Sequence, residues 1–212
     1  HYPVFVWAFF FGLILASIYF VGKTVSKWRH STFGVFAAGT AAAVLISLMS
    51  PGSENANPVY VFVCGVISIC SMILPGISGS FVLILMGNYE LIAIKAVSGL
   101  DISILAPFGA GCAVGLLAFA HVISWIMKKY KDLTIAALTG FITGSLLLIW
   151  PWKTAVYKLD SLGAVLSRKG KEVVAGYNWH LPELNVDTLI AVLLMAAGLI
   201  IVVAIEKTAV ER

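Results

Sequence analysis

Charge is what this sequence has least of. Asp, Glu, Lys and Arg make up 11% of its 212 residues, against about 25% in a soluble domain. That leaves too little polar side chain to cover a water-facing surface. Cysteine is scarcer still. Cys64, Cys70 and Cys112 each fall inside an apolar run, and no spacing among them suits a disulfide framework or a metal knuckle, so buried thiols are expected and no metal site. No secretory leader pattern is present. The 14 basic residues and net charge of +4 are spread as short clusters between apolar runs, as membrane topology requires, and imply no nucleic-acid partner. His1 opens directly on a hydrophobic run, and we expect a further portion of the protein to precede it.

What is abundant is apolar length. Hydrophobic residues reach 60% and come as unbroken runs instead of helical stripes, which makes lipid the expected solvent. Seven arms can be marked: Val4–Gly22, Phe33–Met49, Val59–Leu74, Phe81–Val97, Ala106–Met127, Leu133–Trp150 and Thr188–Ile205. An arm of about 20 residues crosses a hydrocarbon core of about 30 Å. The third and fourth are short, at roughly 24–26 Å each. Loop charge orients the chain. Lys23, Lys27 and Arg29, then Lys128, Lys129 and Lys131, then Lys207 and Arg212 are placed inside, while the loops Ser50–Pro58 and Ser98–Leu105 carry no basic residue and are placed outside. The loop 151–187 is also outside on this scheme, although it holds Lys153, Lys158, Arg168, Lys169 and Lys171.

Parity then requires residues 59–97 to enter and return. Two short arms joined by Pro75-Gly76-Ile77-Ser78-Gly79-Ser80 do this as a re-entrant hairpin. The expected fold is therefore all-α, a polytopic membrane bundle forming one transmembrane domain over residues 1–212, with the hairpin 59–74/81–97 broken inside the bilayer. Backbone without helical hydrogen bonds is tolerated at that depth only beside protein or a watery cavity. Pro75 cannot donate, and Gly76 and Gly79 permit unusual dihedrals. The arm restarting near Ser78 would offer first-turn N–H groups at the positive end of its dipole, with Ser78 or Ser80 as cap, a receptor for phosphate or carboxylate. A kinked helix or a plain connecting turn reads the same residues without a ligand.

Other candidates stand singly. Glu90 and Lys95 lie in the hairpin region and His121 in the fifth arm. Ionisable groups inside a membrane are functional candidates, and Glu90 and His121 are candidate coupling groups for a proton or sodium gradient. The plainer readings place Glu90 and Lys95 at the outer interface, snorkelling, and make His121 a hydrogen-bonded packing residue. Gly111-x-x-x-Gly115 and Gly140-x-x-x-Gly144 read as helix-packing faces. Trp150-Pro151-Trp152 reads as an aromatic belt and helix stop, and Lys153 beside it can meet a lipid phosphate. The charge run Ser167–Glu172 reads as solvated loop.

Taken together, these residues resemble a known family. Phe9-Phe10-Phe11-Gly12-Leu13-Ile14-Leu15-Ala16-Ser17, Met72 through Phe81, Gly87-Asn88-Tyr89-Glu90, Leu138-Thr139-Gly140, and Gly144-Ser145 through Trp150-Pro151-Trp152-Lys153 are similar, in order and spacing, to the polyprenyl-phosphate transporter family of PopT type. The resemblance implies translocation of undecaprenyl or polyprenyl phosphate across the cytoplasmic membrane, for reuse of the lipid carrier of cell-wall building blocks. It implies an ion gradient as the driving force, no cofactor, and a substrate site at Pro75, Gly76, Ser78, Gly79 and Ser80, joined by Ser17, Ser145 and Lys153. The family carries an earlier proline–glycine–serine element that makes an inverted pair of hairpins. This chain has only the second copy, one half or more of such an inverted-repeat transporter. A basic residue of the family is replaced here by Leu147. A homo-oligomer is compatible with all of this.

Two other functions fit the helix-end chemistry: a secondary transporter of a small anion, and a polyprenyl-diphosphate phosphatase. The second needs an acid–base or nucleophile set with an arginine clamp. Near the break there is no arginine or histidine, and Glu90 is the one acid.

Overall fold

The computed structural model describes residues 3–157, 167–168, 171–172, 174–183 and 185–210. Its helices are α1 Pro3–Lys23, α2 His30–Leu48, α3 Pro58–Ile73, α4 Gly79–Leu85, a π-helix Glu90–Ala96 running into α5 Val97–Gly99, α6 Ile102–Lys129, α7 Lys131–Ser145 and α8 Val186–Val210. α1, α2, α6 and α8 are long and apolar enough to cross a membrane, and α3 is shorter. This is an all-α polytopic membrane protein, with large apolar side chains such as Leu117, Leu189 and Ile200 facing outward, as a lipid solvent allows.

The chain forms two compact units, one of His1–Val21 with Leu146–Arg212 and one of Gly22–Ser145. In the first, α1 and α8 approach through glycine. A methyl at Gly12 would collide with the Met195 carbonyl, and one at Gly198 with the Phe9 carbonyl. Within 151–187 the described residues include strands. Strand β1 (Lys153–Tyr157) pairs antiparallel with β4 (Val174–Trp179), and β2 (Ser167–Arg168) with β3 (Lys171–Glu172). The charge run Ser167–Glu172 thus holds two short strands; its residues 169–170, like Lys158, lie outside the described residues.

In the second unit α2 packs along α7, and α3 along α6. Both pairs use the close backbone approach that small residues permit in lipid. A side chain at Gly140 would strike the Phe36 carbonyl, and one at Gly144 would lie 2.5 Å from the Thr40 carbonyl. Gly111 meets the Phe62 carbonyl in the same way, and Gly115 the backbone of Val66. Both G-x-x-x-G segments are therefore packing faces.

Two helix starts follow directly from sequence. Asn57 caps α3 by accepting from the Val59 N–H (2.9 Å) ahead of Pro58 at the first helical position. Asp101 caps α6 by accepting from the Ser103 N–H (3.0 Å). At the α6–α7 corner Asp132 accepts from the Ser26 N–H (3.2 Å). That bond holds its carboxyl below the usual carboxylate range and ties the α1–α2 loop to α7.

The hairpin returns to the end from which it entered. Gly52, ahead of α3, donates to the Leu85 carbonyl at the end of α4 (2.7 Å). The second arm, however, is not one helix. After the seven residues of α4 the chain breaks at Met86–Tyr89 and bends by 112° before the π-helix. The break at 74–80 is legible in the sequence, and this second one is not.

Candidate functional site: the turn between α3 and α4

The ladder of α3 ends where Pro75 cannot donate. Leu74 is its last bonded residue, its N–H reaching the Cys70 carbonyl at 3.4 Å. Gly76 then adopts φ +95°, a left-handed conformation that favours glycine. α4 restarts at once with Ser78 as cap: its Oγ accepts from the Phe81 N–H (3.2 Å) and its carbonyl from the Val82 N–H (3.1 Å). The amides of Gly79 and Ser80 precede the first intrahelical bond of α4. Ser78 Oγ and Ser80 Oγ lie 3.2 Å apart, and both residues are exposed, while Ile77 before them and Gly79 between them are buried. The turn thus presents two hydroxyls and anchors itself through Ile77 and Gly79.

The anchor is polar too. Ser68 Oγ donates to the Gly79 carbonyl (3.1 Å), and Ser71 Oγ donates to the Ser68 carbonyl (2.7 Å). Both serines are buried in an apolar arm, at a spacing of three that puts them on one helix face. That spacing is the sequence signal for the anchor. Against Gly76 sits Ser145: a side chain at Gly76 would come within 2.8 Å of Ser145 Oγ and 3.2 Å of the Phe141 carbonyl. Ser145 Oγ itself donates to the Ile142 carbonyl (2.7 Å) and is buried.

Beside the turn runs an apolar groove of about 350 Å³, reached from α2, α6 and α7 through Val35, Ile123, Ile126, Leu138 and Phe141, with Leu74 as the residue it shares with the turn. Polar turn and apolar groove are therefore continuous, meeting at Leu74 and Phe141.

Of the residues expected at the site, Pro75, Gly76, Ser78, Gly79, Ser80 and Ser145 come together within the unit Gly22–Ser145. Ser17 and Lys153 belong to the other unit. Ser17 Oγ donates to the Leu13 carbonyl (3.0 Å) inside α1. Lys153 is engaged by its own surroundings: Nζ donates to the Leu148 carbonyl and lies 4.6 Å and 4.7 Å from the ring centres of Trp7 and Tyr177. Burial pushes its ammonium below the ordinary lysine value. With Trp179 Nε1 on the Leu147 carbonyl (3.0 Å), it satisfies the backbone of the turns Leu146–Trp150. Glu90 begins the π-helix, 3.8 Å from Lys95, which binds Glu54 of the preceding loop more closely at 2.8 Å. His121 is exposed on α6.

A multi-pass helical membrane protein with a broken, returning hairpin is the class that this fold and site define. The comparisons sharpen it. The family model described as undecaprenyl phosphate translocase-like matches residues 1–165. The polyprenyl-phosphate transporter of Vibrio cholerae serotype O1 is 36% identical over 209 residues, 98% of this chain and 68% of that protein. The polyprenyl-phosphate transporter of Staphylococcus aureus is 30% identical over 161 residues, 68% of this chain and 56% of that protein. No solved structure matches. The chain belongs to the undecaprenyl phosphate translocase-like family.

Proposed function

We propose that this chain carries undecaprenyl phosphate across the cytoplasmic membrane, as a transporter and not as an enzyme. The observation that carries the reading is the continuity of the exposed turn Gly76–Ser80 with the apolar groove at Leu74 and Phe141. An amphiphile of this kind has an anionic headgroup that needs hydrogen-bond donors and a hydrocarbon chain that needs none. The two hydroxyls and two amides serve the first, and the groove serves the second. A phosphate at the start of α4 is favoured by the unpaired amides, although a helix about 10 Å long contributes less dipole than a full span. Most of the affinity is therefore assigned to the donors themselves, at roughly 1.5–3 kcal/mol for each bond to a charged group. The names and extent of similarity of the two relatives support the same substrate. Glu90 is the better placed of the two coupling candidates, because it stands at the second break in an ion-pair cluster. Loss of pH-gradient dependence in Glu90→Gln would support that role, and an unchanged dependence would remove it.

The test is binding of undecaprenyl phosphate to the full-length protein in nanodiscs. Ser78→Ala with Ser80→Ala removes both hydroxyls and should weaken binding at least tenfold, about 1.4 kcal/mol. Unchanged affinity in the double variant would overturn the assignment of the turn.

A further inference from the structure

We infer that Asn88 is a positioning residue for this site, the joint through which the loop Gly52–Asn57 fixes the direction of α4. The inference rests on the reading of the turn as the headgroup site. Asn88 is fully buried, and its main chain and side chain are both engaged. Its N–H donates to the Leu83 carbonyl (3.0 Å), and its carbonyl accepts from the Ile92 N–H (3.0 Å), so one residue bonds the end of α4 to the start of the π-helix. Its side chain grips Asn55 in both directions: Oδ1 accepts from the Asn55 N–H and Nδ2 donates to the Asn55 carbonyl, each at 2.8 Å. A primary amide is the side chain that can imitate a peptide group in this way, one donor and one acceptor side by side.

The surroundings leave the joint little freedom. Gly87 has φ +76°, and a side chain there would come within 2.5 Å of the Ser53 carbonyl. Gly52 donates to the Leu85 carbonyl (2.7 Å) and Tyr60 to the Met86 carbonyl (2.9 Å). The carbonyls that the 112° bend takes out of helical bonding are thus received by the loop and by α3. Because α4 is only seven residues long, its two ends cannot move independently. What sets residues 83–88 also sets Ser78–Phe81.

The buried position separates this joint from the exposed ion pair next to it. Lys95 with Glu54 is half-exposed, and pairs of that kind contribute about 0–1 kcal/mol. Losing the Asn88 amide removes two 2.8 Å bonds made by a fully buried side chain, the costlier event.

The experiment is hydrogen exchange and undecaprenyl phosphate binding on the full-length protein. Asn88→Ala should raise exchange of the Gly79–Leu85 amides at least tenfold while α2 and α7 keep wild-type protection, and binding should fall at least tenfold. Asn88→Asp keeps the shape but sets a carboxylate oxygen against the Asn55 carbonyl. It should behave like Asn88→Ala at pH 8 and recover toward wild type near pH 5.5, where a protonated acid donates as the amide did; Asn88→Ala should not recover. Glu54, Glu90 and Lys95 with Tyr60 and Cys64 of α3 face this region, so wild type and Glu54→Gln over the same pH range are the references. Unchanged exchange at Gly79–Leu85 in Asn88→Ala, or no recovery of Asn88→Asp at low pH, overturns the joint. Faster exchange with unchanged binding leaves the joint standing and removes the turn as headgroup site.

Discussion

The pair α2 with α7 and the pair α3 with α4 are built from similar apolar material and solve opposite problems. In the first, Gly39, Gly140 and Gly144 let two unbroken helices approach backbone to backbone, and the buried hydroxyl of Thr139 is satisfied within its own helix by the Ile135 carbonyl at 2.7 Å. In the second, hydrogen bonds leave the helix they start in. Ser68 reaches Gly79, Asn88 reaches Asn55, and Tyr60 reaches Met86. The difference teaches where function resides in a chain with so few charges. The regular pair supplies rigidity by shape, and the broken pair exposes polar backbone that shape alone could not hold in place.

That contrast can be broken most forcefully at Gly140. Gly140→Ala should cost about 1–3 kcal/mol by overpacking, read as a lower unfolding midpoint. Gly34→Ala, with no described residue within 4 Å of the new methyl, should be neutral or stabilising by up to about 1 kcal/mol, as helix propensity dictates. Equal effects would show that the packing face is not what holds α2 to α7. In the broken pair Gly87→Ala should cost about 1–3 kcal/mol through its left-handed backbone, and should free the loop Gly52–Asn57 to proteolysis, which Gly140→Ala should not do. Ser78→Ala with Ser80→Ala should cost only about 1 kcal/mol of stability through the lost cap, while its binding defect exceeds that of Gly140→Ala. The reverse order would erase the division of labour.

The smallest effect is expected at Asp132. Its carboxyl is held below the ordinary value by the Ser26 N–H, so the folded state binds a proton less readily than the unfolded chain. The contribution is then fully present above the ordinary carboxylate value and is lost as pH falls through the lowered one. Protection of the α1–α2 loop should decline over that window in wild type and be flat in Asp132→Asn.

Much of this was legible in the residues. Composition alone required lipid, the G-x-x-x-G segments were packing faces, and Pro75-Gly76 with Ser78 placed a turn and a cap where the structure has them. The second break was not legible because Met86-Gly87-Asn88-Tyr89 holds no proline and one glycine. Besides Gly87 at φ +76°, the bend carries a bond to Asn55, 33 residues away in sequence, which no local pattern announces. The role of Lys153 was hidden likewise, since its partners Trp7 and Tyr177 come from distant parts of the chain. Nor does hydropathy reveal a ribbon such as β1–β4, whose pairing is set by register.

The most direct measurement is a structure of the full-length protein in nanodiscs containing undecaprenyl phosphate. Phosphate oxygens are expected about 3 Å from the Gly79 and Ser80 amides and the Ser78 and Ser80 hydroxyls, with the first isoprene units along Leu74 and Phe141. A headgroup bound elsewhere, with Gly76–Ser80 touching neither phosphate nor water, would contradict it.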